Sequence, residues 1–179
     1  MLKLSRREFL QSSAALSGLG FLPNDNVAAK NFGKVQVCGH LWVYASRYPP
    51  DWDCTPVLEQ VFSDFKYAGI EGVEMMEPNL RHQDVVQRVK DLIDKYKVPV
   101  TGTSYSGNMW NKAEHSRILD DITIVLERLH EIGGNTLGIT VGNAKRKKTT
   151  EELDAQAELL KQIMKVCEKY HVQPNIHNH

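Results

Sequence analysis

Short β-prone runs alternate along this chain with longer stretches whose apolar residues recur at helical spacing. Val35-Gln36-Val37-Cys38 is such a run, ending at Gly39-His40. Thr55 then has the form of a helix N-cap with Pro56 at the first helical position. Val57, Leu58, Val61, Phe62 and Phe65 follow at helical spacing, and Gly69 suits the left-handed residue just past a helix end. Residues 72–76 read as a second strand running into Glu77-Pro78. The next helix carries Val85, Val86, Val89, Leu92 and Ile93 on one face, and Pro99 stops it. Residues 98–103 make a third strand. Leu119, Ile122, Leu126, Leu129 and Ile132 define a third helix closed by Gly133-Gly134, and residues 136–141 a fourth strand. Thr149 with Glu152 forms a capping box for the fourth helix, whose inner face is expected at Leu153, Leu160, Ile163, Met164 and Cys167. Residues 172–176 complete a fifth strand.

The strands begin at intervals of roughly 27–38 residues, the length of one strand–helix unit. Strict alternation implies parallel strands covered by helices, in a closed barrel or an open doubly wound sheet. An open sheet usually carries a glycine-rich phosphate turn after its first strand. Here that turn reads Gly39-His40-Leu41-Trp42. The expectation is therefore an α/β fold, a parallel (β/α)8 TIM barrel. A complete barrel needs about 250 residues, so five strands and four helices predict a barrel truncated after the fifth strand. Alone, such a form is expected to be inactive and poorly soluble.

Residues 1–30 follow a different pattern. Ser5-Arg6-Arg7-Glu8-Phe9-Leu10 is a twin-arginine pattern ahead of a mild apolar stretch, and Val27-Ala28-Ala29 offers small residues for cleavage. The stretch is too short and too mild for a membrane-spanning helix, so no stable membrane insertion is expected. The reading is a signal peptide for export to the periplasm or beyond, with the barrel portion in residues 31–179. Lys and Arg total 22 against 22 Asp and Glu. That balance argues against a nucleic-acid partner, which usually demands a basic excess. Cys38, Cys54 and Cys167 are too few and too scattered for a disulfide framework. Cys38 and Cys167 read as small buried hydrophobes, and Cys54 as a loop residue able to pair in an oxidising compartment.

In a βα barrel the strand C-termini and the loops after them form the catalytic face. His40, Trp42 and Tyr44 follow the first strand; Glu74 and Glu77 lie at the second; Ser104, Tyr105 and Ser106 follow the third; Asn143 follows the fourth. His40 and Trp42 alternate onto one face, a pairing suited to a sugar platform or to ordinary core. Glu77, just past its strand, is placed to reach the barrel mouth as a catalytic carboxylate, or to act as a helix cap. His177 and His179 flank Asn178, so on a strand both imidazoles point to one side. They can bind a divalent metal, hold sugar hydroxyls, or be surface histidines. Lys145-Arg146-Lys147-Lys148 either attracts an anionic substrate such as a sugar phosphate or is a solvated loop.

With Glu71-Gly72-Val73-Glu74, the helix spacing and the terminal His177-Asn178-His179, the chain resembles the sugar phosphate isomerase/epimerase proteins with a xylose isomerase-like barrel. The resemblance covers residues from about 34 to 179. In that family the fifth strand typically reads His-Asn-His, two residues, then a metal-binding Glu. That Glu and the ligands of strands six to eight would fall beyond His179. The resemblance implies a divalent metal, Mn²⁺ or Mg²⁺ with Zn²⁺ as an alternative, and a small sugar substrate. It implies isomerisation or epimerisation through an enediolate, and a homo-oligomer is the expectation for the full-length protein. Glu77 and His177 are then expected as catalytic groups, and His40, Trp42 and His179 as substrate-binding groups, with no confident metal ligand among them. A dehydratase or lyase on inositol-like or keto-sugars, or an exported non-catalytic carbohydrate-binding barrel, are the alternatives. A barrel endonuclease for abasic DNA is opposed by the neutral charge and the export pattern.

Overall fold

A computed structural model of the chain describes residues 36–177. The expected signal segment and His179 lie outside the described residues. Five strands form one parallel sheet in sequence order: β1 (Cys38–His40), β2 (Gly72–Met76), β3 (Val100–Ser106), β4 (Thr136–Thr140) and β5 (Gln173–Ile176). Each connection carries helix. After β1 come a short α1 (Trp42–Ala45), a 3-10 turn (Thr55–Val57) and α2 (Leu58–Ala68). After β2 come α3 (Glu77–Leu80) and α4 (Val85–Tyr96), after β3 comes α5 (His115–Glu131), and after β4 comes α6 (Thr150–Lys169). Strands adjacent in sequence and in space, all parallel, are the opening run of a βα barrel.

Alternation along the strands separates two faces. Val73, Met75, Thr103, Tyr105, Leu137 and Ile139 are buried. The apolar ones form the core with Val61 and Phe62 of α2, Val89 of α4, Ile122 and Leu126 of α5, and Leu159 and Ile163 of α6. The opposite, inner face carries His40, Glu74, Ser104 and Gly138. Register pairs His40 with Glu74 and Ser104 with Gly138. Two glycines permit this layering. A Cβ on Gly39 would lie 2.4 Å from the Phe65 ring, so its absence lets α2 settle on β1 while His40 points inward. A Cβ on Gly102 would lie 2.0 Å from Thr136 Oγ1, and only glycine lets β3 and β4 close at that point.

Local details depart from the sequence reading in several places. Thr55 is no N-cap. Its own N–H donates to Asp53 Oδ1 at 2.9 Å, and its buried hydroxyl accepts from Asn79. The helix proper begins only at Leu58. Gly69 does take the left-handed conformation, φ 73°, and the Thr149–Glu152 capping box is formed in both directions. On α6 the buried stripe is Ala155, Leu159, Ile163 and Cys167, while Leu153 and Met164 are half exposed. Side-chain bulk pulled the expected face off the i, i+4 row that Ala155 begins. The cysteines divide differently as well. Cys54 is buried against Asn79, whereas Cys38, on the inner face of an edge strand, is exposed. No helix among the described residues is long and apolar enough to cross a membrane.

Candidate functional site

His40 is the first fixed point of the inner face. The Trp42 backbone N–H donates to its Nδ1 at 3.1 Å, and its Nε2 lies 3.2 Å from Ser104 Oγ. An Nδ1 that accepts leaves the neutral ring's proton on Nε2, which then donates towards Ser104; the tautomer is assigned from this network. Burial holds the His40 pKa below 6.5; Glu74 opposes that shift and His177 adds to it. Glu74, on β2, and His177, just past β5, therefore lie within electrostatic reach of His40 on β1.

Glu74 extends over β4. Its Oε1 is 3.8 Å from where a Cβ on Gly138 would stand, so the small residue leaves the carboxylate its space. His177 follows β5, its backbone N–H donating to Ile139 O at 2.8 Å. It lies two residues past Asn175, which pairs with Gly138. Parity therefore puts His177 on the inner face. His179, its expected same-side partner, is outside the described residues. The cluster offers an imidazole donor, a serine hydroxyl and two carboxylate oxygens, a set able to grip neighbouring hydroxyls of one small polar molecule.

Glu77 takes a different position. It opens α3, and the charges that act on it are Arg81 and Asp121. Arg81 forms a two-pronged pair with Asp121, Nε to Oδ1 at 2.9 Å and NH2 to Oδ2 at 2.8 Å. The buried Tyr105 hydroxyl donates to the same carboxylate at 2.7 Å. Burial raises the Glu77 pKa, against backbone hydrogen bonds at Glu77 and Ser106. Glu77 thus feels the Arg81–Asp121 pair, and Glu74 is the carboxylate within electrostatic reach of His40. Strand parity carried that distinction, because Glu74 pairs in register with His40 while Glu77 lies past the strand end. Ser104 was read as a loop residue and is in fact part of β3, facing inward.

The alternation expected for His40 and Trp42 stops at His40. Trp42 starts α1 and is 49% exposed, its ring 5.3 Å from that of Trp52 and tilted by 48°. The basic run is partly engaged. Arg146 holds Glu152 through two bonds, and Lys148 donates to Gly142 O and Gln156. This pins the loop after β4 to the start of α6.

Among the described residues no three His, Cys, Asp or Glu side chains form a group that could hold a metal ion. The inner-face cluster does not by itself fit a divalent cation.

Residues 62–179 match the family described as xylose isomerase-like TIM barrel. The chain belongs to that family. No curated protein matches the sequence. Among solved structures of this fold, D-allulose 3-epimerase from Methylomonas sp. superposes with TM-score 0.62 at 13% identity, over 79% of this chain and 51% of that one. The 3-keto-D-glucoside 4-epimerase of E. coli gives TM-score 0.63 at 16% identity, over 80% and 56%. A sugar phosphate isomerase/epimerase from Parabacteroides distasonis gives 0.60 at 9%, over 88% and 56%. At these identities the likeness establishes the shared barrel and not a shared substrate. The chain spans about half the length of these structures, so the five strands correspond to part of a family barrel.

Proposed function

We propose that this chain is part of a sugar isomerase or epimerase that works through an enediolate. The observation that carries the reading is the convergence of His40, Glu74, Ser104 and His177 on the inner face, at strand ends where this family builds its catalytic face. Removal of a proton next to a sugar carbonyl gives an enediolate. Return of the proton to the other carbon isomerises the sugar, and return from the opposite side epimerises it. In this reading His40, kept neutral by burial, donates its Nε2 proton to a sugar oxygen. Glu74 accepts from a neighbouring hydroxyl, and His177 closes the far side of the same polar wall. Mn²⁺ or Mg²⁺ is part of the proposal on family grounds, and no role is assigned to it through the described residues. Export through the twin-arginine pattern is likewise proposed, on the sequence of residues 1–30.

The test uses the complete gene product, expressed from its initiator to its first in-frame stop. After chelation and reloading with Mn²⁺, it is incubated with ketopentoses, ketohexoses and their phosphates, and the products are resolved by NMR. Conversion of at least one ketose, lost on chelation and weakened by His40→Ala, is the expected result. Failure to convert any of them, with or without metal, refutes the reading.

A further inference from the structure

Two indoles stand exposed at the catalytic-face end of β1, and both are held in place from below. Trp42 and Trp52 are 49% and 37% exposed, with Val43 beside them also exposed. Their rings are 5.3 Å apart at 48°, which makes an open V and not a closed stack. Trp42 is fixed by its own backbone N–H, which donates to His40 Nδ1.

Trp52 has a left-handed backbone, φ 54°, a costly conformation for a bulky residue. Such strain persists only where the surroundings over-determine it. Here they do. The Trp52 N–H donates to Tyr48 O at 2.8 Å. The next residue, Asp53, is clamped through Oδ1 by the Thr55 N–H and by buried Asn79, and its Oδ2 lies 2.6 Å from His82 Nε2. The loop thus carries a strained, solvent-facing tryptophan on a rigid base, next to the residue that orients the inner-face histidine.

We infer that Trp42 and Trp52 form an outer stacking subsite for a second sugar ring, so that the preferred substrate is a sugar that carries a second, linked ring and binds more tightly than the bare monosaccharide. The apolar C–H face of a pyranose packs on an indole, and a tilted pair offers two such faces. One ring sits against His40 and Glu74, and the ring linked to it lies on the tryptophans. Rigid aromatic anchors suit the role because little conformational freedom remains to be lost on binding. The inference rests on the reading that the inner face takes a sugar.

The test measures binding of cellobiose, maltose and D-glucose to the complete gene product by calorimetry. Trp52→Ala, Trp52→Phe and Tyr67→Ala are compared with the parent; Tyr67 is an aromatic 95% exposed on α2 and serves as the control. A disaccharide is expected to bind about ten-fold tighter than glucose, corresponding to about 1.4 kcal/mol. Trp52→Ala is expected to abolish that preference, Trp52→Phe to keep part of it, and Tyr67→Ala to leave it intact. Equal affinity for one and two rings overturns the inference, as does a preference that survives Trp52→Ala. A patch that instead joins two copies of the chain would show as a Trp52-dependent dimer in sedimentation with sugar affinity unmoved, which also overturns it. Because no turnover is read, a Trp52-dependent preference in a protein that converts no ketose would refute the catalytic reading and leave the subsite standing.

Discussion

Replacing Asn79 by alanine should destabilise the fold by about 2–3 kcal/mol, because this side chain joins the loops after β1 and β2 from a fully buried position. Asn79 is 0% exposed on α3. Its Nδ2 donates to Asp53 Oδ1 and to Thr55 Oγ1, both at 3.1 Å, with Cys54 Sγ at 3.5 Å. A hydrogen bond to a charged group contributes about 1.5–3 kcal/mol and a neutral one about 0.5–1.5. Asp53 keeps its bonds from Thr55 N–H and its contact with His82 in the variant, so the charged contribution belongs at the low end. Thr55 Oγ1 loses its donor while buried, which adds a desolvation cost of about 1 kcal/mol. For a chain of this size each kcal/mol moves Tm by about 2–4 °C, giving an expected fall of roughly 5–10 °C. Urea unfolding followed by far-UV circular dichroism measures the difference, and tryptophan fluorescence reports whether Trp52 moves with its anchor. A loss below about 0.5 kcal/mol would refute the clamp, since surface substitutions alone span that range.

Gly102→Ala should cost about 1–3 kcal/mol or prevent folding, because the new methyl would stand 2.0 Å from Thr136 Oγ1 and 2.6 Å from Thr136 O. Gly138→Ala, whose Cβ meets nothing closer than 3.8 Å, should fold normally, and paired thermal melts distinguish the two. His40 gives a pH prediction with a definite sign. Burial depresses its folded pKa below 6.5, so the unfolded chain binds the proton more readily. Its contribution to stability is complete above 6.5 and is lost as pH falls from there through the lower folded value. An NMR titration of the His40 ring with a midpoint at or above 6.5 would contradict this.

The strand order and the parallel βα architecture were legible because each unit carried its own period and its own stop signal, Gly69, Pro99 or Gly133. The capping box was legible for the same reason, since it is local chemistry. What depended on the far side of the sheet was harder to read. Cys38 looks buried by its apolar neighbours, yet it faces the inner side of an edge strand and is exposed. Cys54 looks like a loop residue, yet the Asp53–Asn79 contacts draw its loop into the core. Thr55 and Pro56 carry a helix-start signal that the chain spends on a 3-10 turn, because the Thr55 hydroxyl is claimed by Asn79, a residue 24 positions away. The choice between Glu74 and Glu77 turned on register, which fixes the side of the sheet from which a carboxylate projects. His40 and His177 both fall on inward positions by strand parity, within electrostatic reach of one another.

Solvent exchange reads whether the inner face of these strands serves proton transfer next to a sugar carbonyl. The complete gene product is incubated in D₂O with Mn²⁺ and the ketose that it binds best, and deuterium at the carbon beside the carbonyl is followed by NMR. Steady incorporation is expected, slowed by at least about ten-fold in Glu74→Gln. No incorporation by the folded, metal-loaded protein, or incorporation unchanged by Glu74→Gln, would contradict that role.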